Sequence, residues 1–158
     1  MKQKIDKPTA KEEDWIASQL ENAAKLVDIF QPDQAGQPMT LAALDTAFAG
    51  FIADNSDDGD AVNGVINAVG ITFGQFLVDN LGLKWVIATD DQGSDLAVYG
   101  LPDKGDVLVY PANFVAKRWE RRETNFLESS YRQIAEQLKA FESGQAFKEK
   151  SKPWWKPW

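Results

Sequence analysis

The sequence predicts an α+β fold, with about five helices packed on one face of a small three-stranded antiparallel sheet in the order ααα-βββ-αα. Two observations carry this expectation. Apolar residues recur at helical spacing up to Leu77 and again after Pro111, whereas the stretch between is cut into short strand-like runs by turn residues. Strands gathered together, rather than alternating with helices, place the helices on one side of an antiparallel sheet. The other side is then expected to lie partly open to solvent or a partner. At 158 residues with 44% hydrophobic and 26% charged content, the chain can bury one core without disulfides or structural metals.

The first helix opens at Thr9-Ala10-Lys11-Glu12, a capping box in which Thr9 and Glu12 satisfy each other's backbone. Glu12, Glu13 and Asp14 complement the positive end of the helix dipole. Ile16, Leu20, Ala23, Val27 and Phe30 then form one stripe, broken by Pro32, Gly36 and Pro38. Thr40 caps a shorter second helix whose apolar face is Leu41, Leu44, Phe48 and Phe51 or Ile52. The third helix carries the strongest stripe, Val62, Val65, Ile66, Val69, Phe73, Phe76 and Leu77, and stops near Gly82.

Three strands follow, Lys84 to Thr89, Leu96 to Leu101 and Asp106 to Tyr110, joined by turns rich in Asp and Gly as in an antiparallel meander. Pro111 suits the first turn of a helix carrying Phe114, Val115 and Trp119. The last helix begins near Asn125 and aligns Leu127, Tyr131, Ile134, Leu138 and Phe141. This divides the chain into an N-terminal arm (1–8), one domain (9–143) and a Lys/Pro/Trp-rich tail (144–158).

Composition removes many chemistries. The chain has no histidine and no cysteine, so it lacks the side chain that titrates near neutrality, the thiolate nucleophile and every soft metal ligand. Histidine- or cysteine-based triads, zinc sites and haem or iron–sulfur ligation through those residues are excluded. No Walker loop, dinucleotide fingerprint or nucleophile elbow is present. The expectation is a domain without catalytic residues, cofactor or metal. Asp54-x-Ser56-x-Asp58-Gly59 imitates half of a calcium loop, but its twelfth position is Val65 instead of a bidentate Glu. Those acids read as a helix cap. Asp90 and Asp95 lie in a hairpin, where solvent is expected to hold them near ordinary carboxylate behaviour.

The run from Ala61 to Val78 has no charge and contains the GxxxG of Gly70 and Gly74, so it passes a crude length test for a membrane span. Its polar residues, acidic flanks and amphipathic stripe favour a soluble core helix. Three helical glycines, Gly64, Gly70 and Gly74, are expected to accommodate another backbone crossing closely. The absence of an apolar stretch after Met1-Lys2 argues against a secretory signal, and zero cysteine agrees with a reducing compartment, so the expected location is cytoplasmic.

Charge is unevenly placed. The net charge is -7, but residues 1–106 carry 7 basic and 18 acidic side chains while residues 107–158 carry 10 basic and 6 acidic ones. From Leu26 to Leu83 there are eight acids and no base. This disfavours nucleic acid as a partner. It favours a basic protein, since opposite fields accelerate and orient docking. Two further features suggest binding. Lys117, Arg118, Arg121 and Arg122, with Trp119 and the preceding Tyr110, could hold a small anion, either in an anion-binding protein or in an enzyme. The tail places Trp154, Trp155 and Trp158 in the last five residues, more apolar area than a monomer usually exposes. Those indoles are expected to contact the chain's own body, a second copy or a protein partner. Membrane contact is disfavoured by the overall negative charge.

The stretch from Gly70 to Tyr131 resembles an uncharacterised bacterial family, the domain of unknown function numbered 3806. The likeness rests on Gly74-Gln75-Phe76-Leu77, Leu81-Gly82 with Trp85, Asp90 and Gly93 in the turn, and Tyr110-Pro111 with Lys117-Arg118. These are structural residues, and the resemblance implies an α+β domain with no accepted activity. The leading expectation is therefore a non-enzymatic protein-binding domain, an adaptor or the neutralising partner of a basic effector.

Overall fold

The computed structural model describes residues 4–102 and 106–142. Among them the chain forms, in order, β1 (Lys4–Asp6), α1 (Ala10–Phe30), a short 3-10 turn (Pro32–Gln34), α2 (Leu41–Ala53), α3 (Gly59–Leu81), β2 (Lys84–Asp90), β3 (Gly93–Gly100), β4 (Val107–Val109), α4 (Pro111–Glu120) and α5 (Leu127–Glu142). The fold is α+β, and its five helices match the expectation. The sheet corrects it. Four strands, not three, run antiparallel in the order β1-β2-β3-β4. The added strand comes from the expected N-terminal arm, with Lys4 opposite Thr89 and Ile5 opposite Ala88. Three residues with one apolar side chain carry too little periodicity to announce a strand; β2's free edge supplies the hydrogen bonds that make one.

Local chemistry sets the helix starts. Thr9 N–H donates to Glu12 Oε1 at 2.7 Å, and Thr9 Oγ1 accepts from Glu12 N–H at 3.4 Å, forming the expected capping box. Thr40 Oγ1 accepts from Ala43 N–H at 3.0 Å at the head of α2. Asp58 accepts from Asp60 N–H at 3.0 Å at the head of α3, so the calcium-like run works as a cap. Among the described residues, no three carboxylates converge as a metal-holding group. Gly82 ends α3 in the left-handed conformation, at φ +71°.

α3 is the central element. It packs against α1 on one side and α4 on the other. By length and composition it could cross a membrane, yet half of its most apolar window is buried inside this fold. The close backbone crossing expected of its glycines occurs at Gly70, whereas Gly74 is covered by side chains. A Cβ on Gly70 would sit 2.7 Å from Ala112 Cα and 2.8 Å from Pro111 O, and one on Gly74 would meet the Trp85 ring and Pro111 Cγ. Gly64 faces open space. A chain of rings extends from this crossing: Phe73 stacks on Phe114 at 5.4 Å, and Phe126 meets both Phe114 and Phe48 edge-on.

Trp85 sits at the junction of the sheet and α3 and is half-buried. Its Nε1–H donates to Gln75 Oε1 at 2.9 Å, which holds the polar edge at the surface while the ring covers Gly74. Replacing Trp85 with Ala should cost about 3 kcal/mol, the low end for a large aromatic. Urea denaturation followed by circular dichroism measures this, and a loss below about 1 kcal/mol would show that the ring contributes little to the core.

The two sheet faces are both apolar. Val98, Val107 and Val109 point into the main core with the helices. On the opposite face, Val86, Ala88, Ala97 and Leu108 form a second buried cluster, flanked by Tyr99 and Tyr110. These four side chains are hidden from solvent at the centre of the face, while Ile5, Lys84 and Asp95 around them are exposed, so the outer face is partly open, as expected.

Candidate functional site

A cleft of about 580 Å³ opens between α1, α3 and the segment joining α1 to α2. That segment holds its shape by local bonds. Gln31 N–H donates to Val27 O at the end of α1, the 3-10 turn follows Pro32, and Gln31 Nε2 donates to Ala43 O at 2.7 Å, tying the segment to α2. Gly36 adopts φ +80°, a conformation that lets the chain reverse beside the cleft. The size is that of a small-ligand or side-chain pocket.

Its lining is unusual for a helix as apolar as α3. Thr72, Gln75, Asp79 and Asn80 face the cleft from α3, and Asp28 faces it from α1. Gln75 is doubly engaged: its Oε1 accepts from Trp85, and its Nε2 donates to Asp79 Oδ1 at 2.8 Å. Thr72 is 4% exposed, and its hydroxyl finds no hydrogen-bond partner among the described residues. A buried hydroxyl left unpaired costs on the order of 1–3 kcal/mol, so it marks a point where an incoming polar group would be favoured. Among the described residues the lining holds two carboxylates, several amide side chains and no lysine or arginine. Such a site suits a cation that also donates hydrogen bonds, such as an amine or guanidinium.

The residues singled out from sequence lie elsewhere. Arg118 and Arg122 belong to the stop of α4. Glu123 N–H donates to Arg118 O at 2.9 Å and Arg122 N–H to Trp119 O at 3.0 Å, with Arg122 left-handed at φ +54°. This is a Schellman turn with arginine where glycine usually stands. Side chains reinforce it. Arg118 Nε pairs with Glu123 Oε2 at 2.7 Å, and its guanidinium lies 4.2 Å above the Phe114 ring. Arg122 stacks on Trp119 at 3.9 Å and donates from Nη1 to Trp119 O. Burial lowers the Arg118 pKa, Glu123 opposes that, and Arg121 adds to it. Lys117 and Trp119 are half-buried and Arg121 is exposed.

Tyr110 sits apart from these cations. It lines a second cleft of about 400 Å³ with Ala88, Asp90, Asp95 and Asn113. Asp95 departs from the expectation of ordinary behaviour, since burial and then the neighbouring Asp90 push its pKa up. Tyr110 and the basic cluster thus do not assemble one anion pocket. Trp154, Trp155 and Trp158 lie outside the described residues.

The first cleft was missed because attention goes to the apolar stripe of α3. Thr72, Gln75, Asp79 and Asn80 fall at i, i+3, i+7 and i+8, a polar stripe on the same helix that helical periodicity could have revealed.

Fold and site together define a small α+β domain with an acidic, amide-lined cleft. The family model for a domain of unknown function (DUF3806) matches residues 50–131, just over half of the chain, and the chain belongs to that family. The match begins earlier than the suspected resemblance and takes in the end of α2 and all of α3. The α1 wall of the cleft lies outside it. No curated protein and no solved structure matches the chain.

Proposed function

We propose that this is a non-enzymatic protein-binding domain of the bacterial cytoplasm, an adaptor or the neutralising partner of a basic protein. The observation that carries this reading is the cleft between α1 and α3, lined by Asp28, Asp79 and a Thr72 hydroxyl without a partner among the described residues, with no base among the described lining residues. A lysine or arginine side chain from a partner meets two carboxylates there, and the surrounding excess of acids from Leu26 to Leu83 steers it in. The alternative, a small-anion-binding protein or enzyme using Lys117, Arg118 and Arg121, has less support. Arg118 is occupied by Glu123 and Phe114, and Tyr110 faces carboxylates.

The test is capture of a partner from native lysate at low and high salt, with Asp28→Lys/Asp79→Lys as the paired control. The expected outcome is a stoichiometric basic protein retained at low salt, with affinity about 10- to 100-fold weaker for the double variant. Equal capture by both proteins would remove the cleft from the interface. No stoichiometric partner at low salt would count against the binding role itself.

A further inference from the structure

The outer face of the sheet holds the most unusual surface in the molecule. Val86 and Ala97 stand opposite each other on β2 and β3, Ala88 stands opposite Ile5 and Asp95, and Leu108 stands opposite Tyr99. The four small or aliphatic side chains are 3%, 0%, 2% and 3% exposed for Val86, Ala97, Ala88 and Leu108. An antiparallel sheet with helices on one side ordinarily presents polar residues on the other. Here the centre of the face is apolar and hidden, yet the cluster contains no residue from any described helix. At the hairpin end of the same face, Asp90 and Asp95 line the cleft that Ala88 floors, with no lysine or arginine among the described residues of its walls.

One segment of this chain has the complementary chemistry. Residues 143–158 carry Lys148, Lys150, Lys152 and Lys156 against a single acid, Glu149, together with Trp154, Trp155 and Trp158. Each indole has about 150–250 Å² to bury. Pro153 and Pro157 favour an extended strip over a helix. Reach is ample. Sixteen residues beyond Glu142 span up to about 50 Å when extended, against a radius of gyration of about 15 Å for a domain of this length. Tethering also raises the local concentration of the segment to the millimolar range, far above that of a free partner.

We propose that the chain's own C-terminal segment, residues 148–158, docks across the outer face of β2, β3 and β4. Its indoles rest on the floor made by Val86, Ala97 and Leu108, and its lysines face Asp90 and Asp95. The segment thereby serves as the missing second layer of the sheet, on a side of the molecule distinct from the acidic cleft. The proposal does not depend on the partner-binding reading, and each can fail alone.

The natural absence of cysteine makes the test direct in the full-length chain. Asn113, in the wall of the outer-face cleft, and Ser151, between Lys150 and Lys152, are both changed to Cys. A control chain carries Ser18→Cys, on the exposed side of α1, with Ser151→Cys. Both are exposed to oxidised glutathione at dilute protein concentration. The expected result is an intramolecular disulfide between positions 113 and 151 that forms at least tenfold faster than the one between 18 and 151. Equal rates, or a faster control, would overturn the proposal. Disulfide-linked dimers as the main product would overturn it too, assigning the face to the tail of a second copy. As a second measurement, Trp154→Ala/Trp155→Ala/Trp158→Ala should speed amide exchange in β2 and β3 at least tenfold, with restoration by a synthetic peptide of residues 148–158. Unchanged exchange would also overturn it.

Discussion

Replacing Asp45 with Ala is expected to destabilise the domain by about 3–5 kcal/mol, enough to leave it marginal. Asp45 is the single charged residue of α2 and is 5% exposed. Its Oδ1 accepts from the backbone N–H groups of Phe126 at 3.1 Å and Leu127 at 2.9 Å, and its Oδ2 accepts from Glu128 at 3.3 Å. These are orphan donors at the start of α5, which has no side chain of its own at the capping position because Phe126 stands there. Losing a cap costs about 0.5–2 kcal/mol, and each buried donor left unpaired adds about 1–3 kcal/mol. The measurement is urea denaturation by circular dichroism. A loss below about 1.5 kcal/mol would mean that water replaces the carboxylate.

The same residue gives a pH signature. Burial raises the Asp45 pKa above the ordinary 3.8; the three backbone bonds pull it down but do not win, and Glu128 adds to the rise. A raised carboxyl binds more protons in the folded than in the unfolded chain. Its stabilising linkage is therefore complete below the ordinary value and is lost as pH rises through the folded one. Asp45→Asn, which does not titrate, should gain on the parent as pH rises from below the ordinary carboxylate value through the raised one. A difference independent of pH would show that the folded carboxyl titrates normally.

Replacing Gly70 with Val is expected to cost about 3 kcal/mol, at the upper end of overpacking effects. The added Cβ would lie 2.7 Å from Ala112 Cα and 2.8 Å from Pro111 O. Both neighbours are backbone at the first turn of α4, so no side-chain rotation relieves the clash and the two helices must separate. Because the Phe73–Phe114 stack joins the same helices, separation also opens that contact. Gly64→Ala makes a sharp control: it meets nothing within 4 Å and should stabilise by about 0.5–1 kcal/mol through helix propensity. Equal effects at the two positions would refute the close crossing.

Most of the fold was legible because it rests on periodicity and capping chemistry, both local. Thr9, Thr40, Gly82 and Pro111 each announce an element boundary from a few residues of context. What escaped was non-local. β1 needs the edge of a strand more than 80 residues away. The cap of α5 comes from α2, so Asn125, the tempting local capping residue, is bypassed. The basic cluster was visible, but its duty was not: whether an arginine faces solvent or clasps its own helix end depends on where the chain turns next. The acidic cleft was hidden for a related reason, since it exists only once the segment 31–40 folds over α1 and α3.

The pairing of β1 with β2 also orders events in time. β2 and β3 meet across a tight turn and can zip as a unit, whereas β1 must close a loop of more than 80 residues to reach its place. That difference in loop entropy is roughly 2.5 kcal/mol, which makes β1 the last strand to join and the first to leave. Until it arrives, the Ile87–Ala88–Thr89 edge is an open row of backbone donors and acceptors, able to recruit the same strand of a neighbouring molecule. Once in place, β1 shields that row and ends the sheet with the charged pair of Lys4 and Asp6, 3.8 Å apart. Protection of that row therefore rests on three residues, Lys4 to Asp6, and a change that delays their docking would leave the edge open to aggregation.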